Sequence, residues 1–357
     1  MIRMLTSARH LATFLAMAAL VLLTACQKDL CYEHKHKGLD DEHGVVHVRF
    51  LWNETQNPQA EEMHLVSFNN RLNPVIYPLD GMDGGDIVLY GGTYWFVAYN
   101  SDTETVATRG TTYDDFEMCG VSRDLSRYVT NFMANAKSFT RYARKDGTRS
   151  EEINDPLDSL YYENLSFIWE PERVWVSADS VVTIMPAVKQ DLSMTMRAAT
   201  YQYTFLINNV ANLDRVHSIS AILTGLASGY SPSESQPKDF TAAEIFGFQA
   251  VDATSIRGTL RVFGHSPEEA AAHGIARAEA NTLTLYVTMD TGNRYGFVYD
   301  VTEDIQNPTT SSINPNTGEI VINIRIDDIP IPDQPISTGL FNIDIDDFET
   351  EEWNIYP

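Results

Sequence analysis

Short runs in which apolar and polar residues alternate recur from residue 45 to near the end of this chain, each closed by glycine, proline, asparagine or aspartate. Alternation with period two puts successive side chains on opposite faces, which suits a half-buried strand and not a helix. Val46, Val48 and Phe50 alternate with His47, Arg49 and Leu51. Extended pieces are expected next at 64–68 and 71–76, then a turn cluster over 80–86. The run 87–90, the pair Gly91-Gly92 and the run 93–99 read as strand, turn, strand. Further strands are expected at 165–169, 172–176, 180–185, 198–208, 218–226, 255–263, 282–289, 295–302 and 318–326. Residues 230–242 read as a loop, and the three prolines within 327–335 exclude a central strand there. Helical signals are few. Residues 124–137 suit a short helix or a turn, and Ser266-Pro267 offers a cap and a first-turn proline ahead of 268–281, where Gly274 weakens the helix. The expected class is all-β, as two β-sandwiches in tandem. No internal sequence repeat accompanies this repetition of type.

The N-terminus carries a different signal. Arg3 and Arg9 precede an apolar stretch at 11–23, too short for the roughly 20 residues of a membrane-spanning helix. A charged start, a short apolar core and small residues before a cut site make an export signal. Leu23-Thr24-Ala25-Cys26 resembles the bacterial lipobox, whose cysteine is diacylated and becomes the first mature residue. Residues 1–25 are therefore expected to leave, with Cys26 as the lipid attachment site. The polar stretch 26–44 reads as a tether. Residues 45–190 and 191–357 are expected to hold the two sandwiches.

Loss of residues 1–25 removes two arginines and no acid, so the net charge of −24 becomes −26. Such a chain is repelled by nucleic acid, whose affinity comes from cations on phosphate. It gains nothing electrostatic from an anionic membrane, so the lipid does the holding. About 330 mature residues exceed one ordinary core. Besides Cys26 the chain has Cys31 and Cys119, either paired in an oxidising compartment or left as thiols; nothing in the sequence brings them together.

Catalytic motifs are missing: there is no Gly-x-Ser-x-Gly elbow, phosphate loop or His-Glu-x-x-His. No enzyme activity, cofactor or metal is expected. Cys31, Glu33, His34 and His36 are ligand types, but they sit in the tether and read better as a polar spacer. Asp80, Asp83 and Asp86, and likewise Asp344, Asp346 and Asp347, lack the spacing of a calcium loop. Trp52, Trp95, Trp169, Trp175 and Trp353 are candidates for glycan stacking, although tryptophans in alternating runs more often serve a core.

Several segments together resemble the fimbrillin-like lipoproteins of Bacteroidales: the lipobox, the tether Asp29 to His36 leading into residues 45–52, and residues 201–206 followed by 221–227. The resemblance implies two transthyretin-like β-sandwich domains, export to the outer membrane through the N-terminal lipid, and surface display. It implies fimbrial subunits as partners, with host or glycan ligands as further ones. In pilus-forming members a protease cuts after an arginine near the first strand, and another subunit's strand fills the groove by β-augmentation. Arg49 is the arginine of the first expected strand here, although inside the strand and not in a following loop; Arg71 comes next. The reading of Arg49 as an outward-facing strand residue stands beside the cleavage reading. Leu340, Phe341, Ile343 and Ile345 belong to the candidate donor strand, or to the last strand of the second sandwich. A surface glycan-binding lipoprotein of a polysaccharide uptake system is the alternative role.

Overall fold

A computed structural model describes residues 41–53, 55–70, 72–124, 138–142, 150–153, 166–265 and 281–332. The first strands are β1 (His43–Leu51), β2 (Glu62–Asn69), β3 (Leu72–Asp80), β4 (Gly84–Tyr90) and β5 (Gly92–Asn100). Short strands follow: β6 (Val106–Arg109), β7 (Glu117–Gly120), β8 (Ser138–Tyr142), β9 (Ser150–Ile153) and β10 (Ser166–Phe167). Then come β11 (Trp175–Ile184), β12 (Lys189–Thr195), β13 (Arg197–Ala198), β14 (Tyr201–Val210), β15 (Val216–Leu226), β16 (Gly229–Ser231) and β17 (Gln236–Lys238). The last are β18 (Ala242–Ala250), β19 (Ile256–Val262), β20 (Thr282–Met289), β21 (Arg294–Asp300), β22 (Ser311–Ile313) and β23 (Ile320–Ile329). One short helix, α1 (Thr302–Gln306), lies between β21 and β22. The chain is all-β, as its alternation predicts.

Two sheets clasp a first core. The order β12-β1-β4 forms one and β13-β11-β5-β2-β3 the other. Val46, Val48 and Phe50 of β1 meet Leu65, Phe96 and Trp175 between them. The outer face of the five-stranded sheet is also buried: Val66, Phe68, Val97 and Val176 pack against Met118 and Tyr230 of the small sheet β17-β16-β7-β6 and against Phe116, just before β7. A second core lies inside a long curled sheet in which β18 is the corner. Its first half pairs with β15 and its last residues with β19, so one strand serves both walls. Tyr203, Phe205 and Ile207 from one wall face Ala221, Leu223, Leu285 and Phe297 from the other.

The strand connectivity recurs. In the first part β1 pairs parallel with β12 and antiparallel with β4, while β2 pairs with β3 and β5, and β5 with β11. In the second, β14 pairs parallel with β23 and antiparallel with β19, while β15 pairs with β18 and β20, and β20 with β21. The strands between β5 and β11 pair across to the second set: β7 with β16, β8 with β21 and β10 with β18.

Differences from the sequence reading have physical causes. Residues 172–176 and 180–185 contribute to one strand, β11, whose register shifts between Asp179 and Val182. The bulge interrupts the alternation that marks a continuous strand. β12 and β18 were not expected: β12 has only Leu192 and Met194 turned to the core, and β18 carries a glutamate inward. The loop at 230–242 contains the brief strands β16 and β17. β23 runs to Ile329, directly before Pro330, which is compatible with proline stopping a strand and not with a break at Asp327. The expected helices at 124–137 and 268–281 lie almost wholly outside the described residues.

Candidate functional site

The residues singled out near the first strand converge on β1 and its two neighbours. β1 is the middle strand of a three-stranded sheet, so its backbone bonds on both sides. The ladder to β12 runs from Val45 opposite Lys189 to Leu51 opposite Thr195. The ladder to β4 runs from His43 opposite Tyr90 to Arg49 opposite Gly84. Inward, Val46 and Val48 are fully buried, each stabilising the core by about 1.5–3 kcal/mol. Against them β4 passes so close that a Cβ on Gly84, whose φ is +100°, would lie 2.2 Å from the Val48 carbonyl oxygen. Glycine alone accommodates both that φ and that approach.

The outer face of this sheet is charged and paired. His47 Nδ1 lies 2.5 Å from Asp86 Oδ1, and Lys189 Nζ donates to Asp86 Oδ2 at 3.0 Å. Burial would raise the Asp86 carboxyl, but the bonds from His47 and Lys189 outweigh it and hold the group below its ordinary value. Arg49 points outward with its side chain 58% exposed, and its Nη2 is 3.4 Å from Asp191 Oδ1. An exposed pair of this kind is worth under about 1 kcal/mol, so Arg49 is held loosely. Beyond it, Val88 and Tyr90 of β4 are exposed, with the His43 ring centroid 4.1 Å from that of Tyr90.

A second constellation was not expected from the sequence. The Glu319 carboxylate has no solvent exposure and accepts from Arg261 Nε at 2.7 Å, Arg173 Nε at 3.1 Å and Thr200 Oγ1 at 2.8 Å. The turn before Glu319 reaches the first core: Trp175 Nε1 donates to the Thr317 carbonyl at 2.9 Å, and Gln56 N to the Pro315 carbonyl at 2.9 Å. This cluster is a structural tie. Its members are scattered along the chain, and no local pattern announces them.

The other candidates disperse. Cys26, Cys31, His34, His36, Arg71, Leu340, Phe341, Ile343, Ile345, Asp344, Asp346, Asp347 and Trp353 lie outside the described residues. Cys119 carries a free thiol, its Sγ donating to the Ala107 carbonyl at 3.5 Å, and burial pushes that thiol up. Trp175 is core and Trp52 stands edge-on to it with ring centroids 5.7 Å apart. Trp169 is exposed, with the Arg123 guanidinium 3.9 Å above its ring. Asp86 is committed to His47 and Lys189. Among the described residues no three His, Cys, Asp or Glu side chains gather to hold a metal, and no helix is long and apolar enough to cross a membrane.

The chain is similar to a candidate adhesin of Bacteroides ovatus ATCC 8483, with a TM-score of 0.53 and 17% identity over 81% of this chain and 94% of that one. It is also similar to the fimbrial anchor protein Mfa2 of Porphyromonas gingivalis, with a TM-score of 0.46 and 12% identity over 80% and 90%. A candidate polysaccharide-binding protein (DUF1812) of Bacteroides thetaiotaomicron VPI-5482 gives a TM-score of 0.45 and 12% identity over 79% and 90%. At such identities the first of these speaks for the fold alone. No curated protein matches the chain. A family model described as a domain of unknown function, DUF5119, matches residues 25–247, from the cysteine-bearing N-terminal motif through most of β18. That match covers more than half of the sequence, and the chain belongs to the DUF5119 family.

Proposed function

We propose that this chain is a lipid-anchored, surface-exposed and non-enzymatic component of a fimbria or adhesive apparatus, held at the outer membrane through Cys26. The observation that carries the reading is the position of β1. It is the first described strand, follows directly on the expected tether, and lies between β12 and β4, each of which pairs with β1 alone among the described strands. Support also comes from the family model, which begins at residue 25 beside Cys26, and from the candidate adhesin whose fold the chain resembles.

In this reading a cut after Arg49 frees residues up to 49 together with the lipid. The facing edges of β12 and β4 then lose their partner, and the inward places of Val46 and Val48 empty. A strand from another subunit fills such a groove through backbone pairing, with apolar side chains at every second position. Phe341, Ile343 and Ile345 have that spacing, as do Val46, Val48 and Phe50. The recurrence of one strand connectivity along the chain supports two transthyretin-like sandwiches in tandem.

Mass spectrometry of the N-terminus of the native protein, from whole cells and from sheared surface fibres, tests this. An acylated Cys26 on cells supports the anchored component, as anchor subunit, adhesin or surface glycan binder. A fibre population beginning at Phe50 supports strand exchange as well. An unprocessed Met1 terminus on a protein inaccessible to external protease overturns the reading.

A further inference from the structure

One end of the first sandwich is apolar where it meets solvent. On β4, Ile87 and Leu89 turn into the core, and alternation calls for polar residues beside them. Val88 and Tyr90 stand there instead, both exposed, Tyr90 by 54%. The turn from β11 to β12 adds Met185, which is 50% exposed, and the exposed Pro186 and Ala187.

These residues form one rim around the start of β1. Gly91 N donates to the Glu42 carbonyl at 2.8 Å, and Ala187 N to the His43 carbonyl at 2.8 Å. A Cβ on Gly91 would lie 2.5 Å from Pro186 Cγ, and one on Gly44 2.6 Å from the Met185 carbonyl oxygen. Backbone contacts therefore press the two turns onto β1, and the apolar side chains face outward. Exposed apolar residues scattered singly are ordinary, but gathered on one rim they mark an interaction surface.

What meets this rim follows from where the described chain begins. Asp41 is its first residue, directly ahead of β1, and only residues 27–40 separate it from Cys26. Fully extended, that stretch reaches about 50 Å at most. An acylated Cys26 keeps the rim near the bilayer at an effective concentration of about millimolar order, so a contact too weak to hold a free protein suffices. Tyrosine suits such a contact, because its ring is apolar and its hydroxyl stays among headgroups and water. Charge does not supply the attraction: Asp41 and Glu42 are exposed beside the rim, and Lys189 is bound to Asp86.

We propose that Val88, Tyr90, Met185, Pro186 and Ala187 rest on the lipid surface in which Cys26 is anchored, so that the start of β1 faces the membrane. The proposal rests on the anchored reading above and gives it an orientation. A chain cut after Arg49 loses the tether and the first residues of β1 together, so this contact belongs to the uncut form.

Hydroxyl-radical footprinting of the native acylated protein on phosphatidylcholine vesicles, read by mass spectrometry at Met185, tests it. Wild type is expected to oxidise there about threefold more slowly than the double variant Val88→Ser, Tyr90→Ser on the same vesicles. Met82, beyond the other end of β4, is expected to react alike in both. Both substitutions fall at exposed positions, so they do not threaten the fold. In the unacylated chain from Gln27, free in solution, wild type and variant are expected to match at Met185. Equal rates on vesicles overturn the proposal. A difference that persists in solution also overturns it, because the substitutions then uncover Met185 directly. Protection that grows with the density of protein on the vesicle overturns it as well, since a second copy then covers the rim. These failures leave the anchored reading standing, whereas an unacylated native N-terminus overturns both.

Discussion

Arg261 Nε donates to Glu319 Oε1 at 2.7 Å although 58 residues separate them, and this pair is the centre of the tie between the two cores. Glu319 is wholly buried, while the side chains of Arg261 and Arg173 keep 22% and 24% exposure. Removing the charge takes the carboxylate from the Arg173 guanidinium and leaves Arg261 with Glu170 Oε1, 3.9 Å from its Nη1. Breaking a buried pair costs about 3–5 kcal/mol, and the partial hydration of the arginines places Glu319→Gln near about 3 kcal/mol. Urea denaturation measures it. A loss below about 1 kcal/mol would show that the cluster does not tie the cores.

The same residue sets an acid limit. Burial would raise the Glu319 carboxyl, but Arg261, Arg173 and Thr200 outweigh it and the group is lowered from 4.5. Its stabilisation is therefore present above 4.5 and is lost as pH falls through the lowered value. Wild-type stability is expected to fall more steeply below about pH 4.5 than that of Glu319→Gln, and urea midpoints across that range compare the two slopes.

Glu244 of β18 behaves in the opposite sense. Both carboxyl oxygens are buried in the second core without a hydrogen-bond partner. Burial first, and then the Glu170 charge, push the group well above 4.5, against the pull of Arg261. A raised acid favours folding most below its unfolded value, so stability is lost as pH rises above 4.5. Glu244→Leu is expected to gain about 1–3 kcal/mol at neutral pH and to flatten the decline that sets in as pH rises above 4.5. Equal slopes in wild type and variant would contradict the burial of this carboxyl.

His265 accepts or donates at 2.5 Å with the Tyr203 hydroxyl, and burial lowers its imidazole to about 4. A lowered base contributes stability above 6.5 that is lost as pH falls through about 4. Its ring resonances in an NMR titration are expected to stay in the neutral form down to about pH 5. Ordinary titration near 6.5 would place the ring in solvent instead.

Gly84 tests the closeness of β1 to β4. With φ +100° and a would-be Cβ 2.2 Å from the Val48 carbonyl oxygen, Gly84→Ala incurs both strain and collision. A loss of at least about 1–3 kcal/mol is expected. Amide exchange of β1 is expected to rise while that of β20, in the other core, stays slow. Uniform exchange across both would show that the first sheet does not open separately.

The sequence alone determined the local geometry. Val46, Val48 and Phe50, residues 93–99 and the start of β14 carry enough alternation to be strands in any all-β arrangement, because period two and burial on one face are local properties. The lipobox resemblance is equally local, a short motif readable without a fold. Tertiary structure decided what local pattern cannot encode. β12 is a strand because β1 offers it a parallel partner, not because Lys189-Gln190-Asp191 favours one. The recurring connectivity is invisible as a repeat, since pairing depends on backbone hydrogen bonds that many side chains permit. Glu319, Arg261, Arg173 and Thr200 meet only because segments distant in the chain close on one another. Their energies arise from desolvation and from charges at short range, and both exist only once the chain has folded.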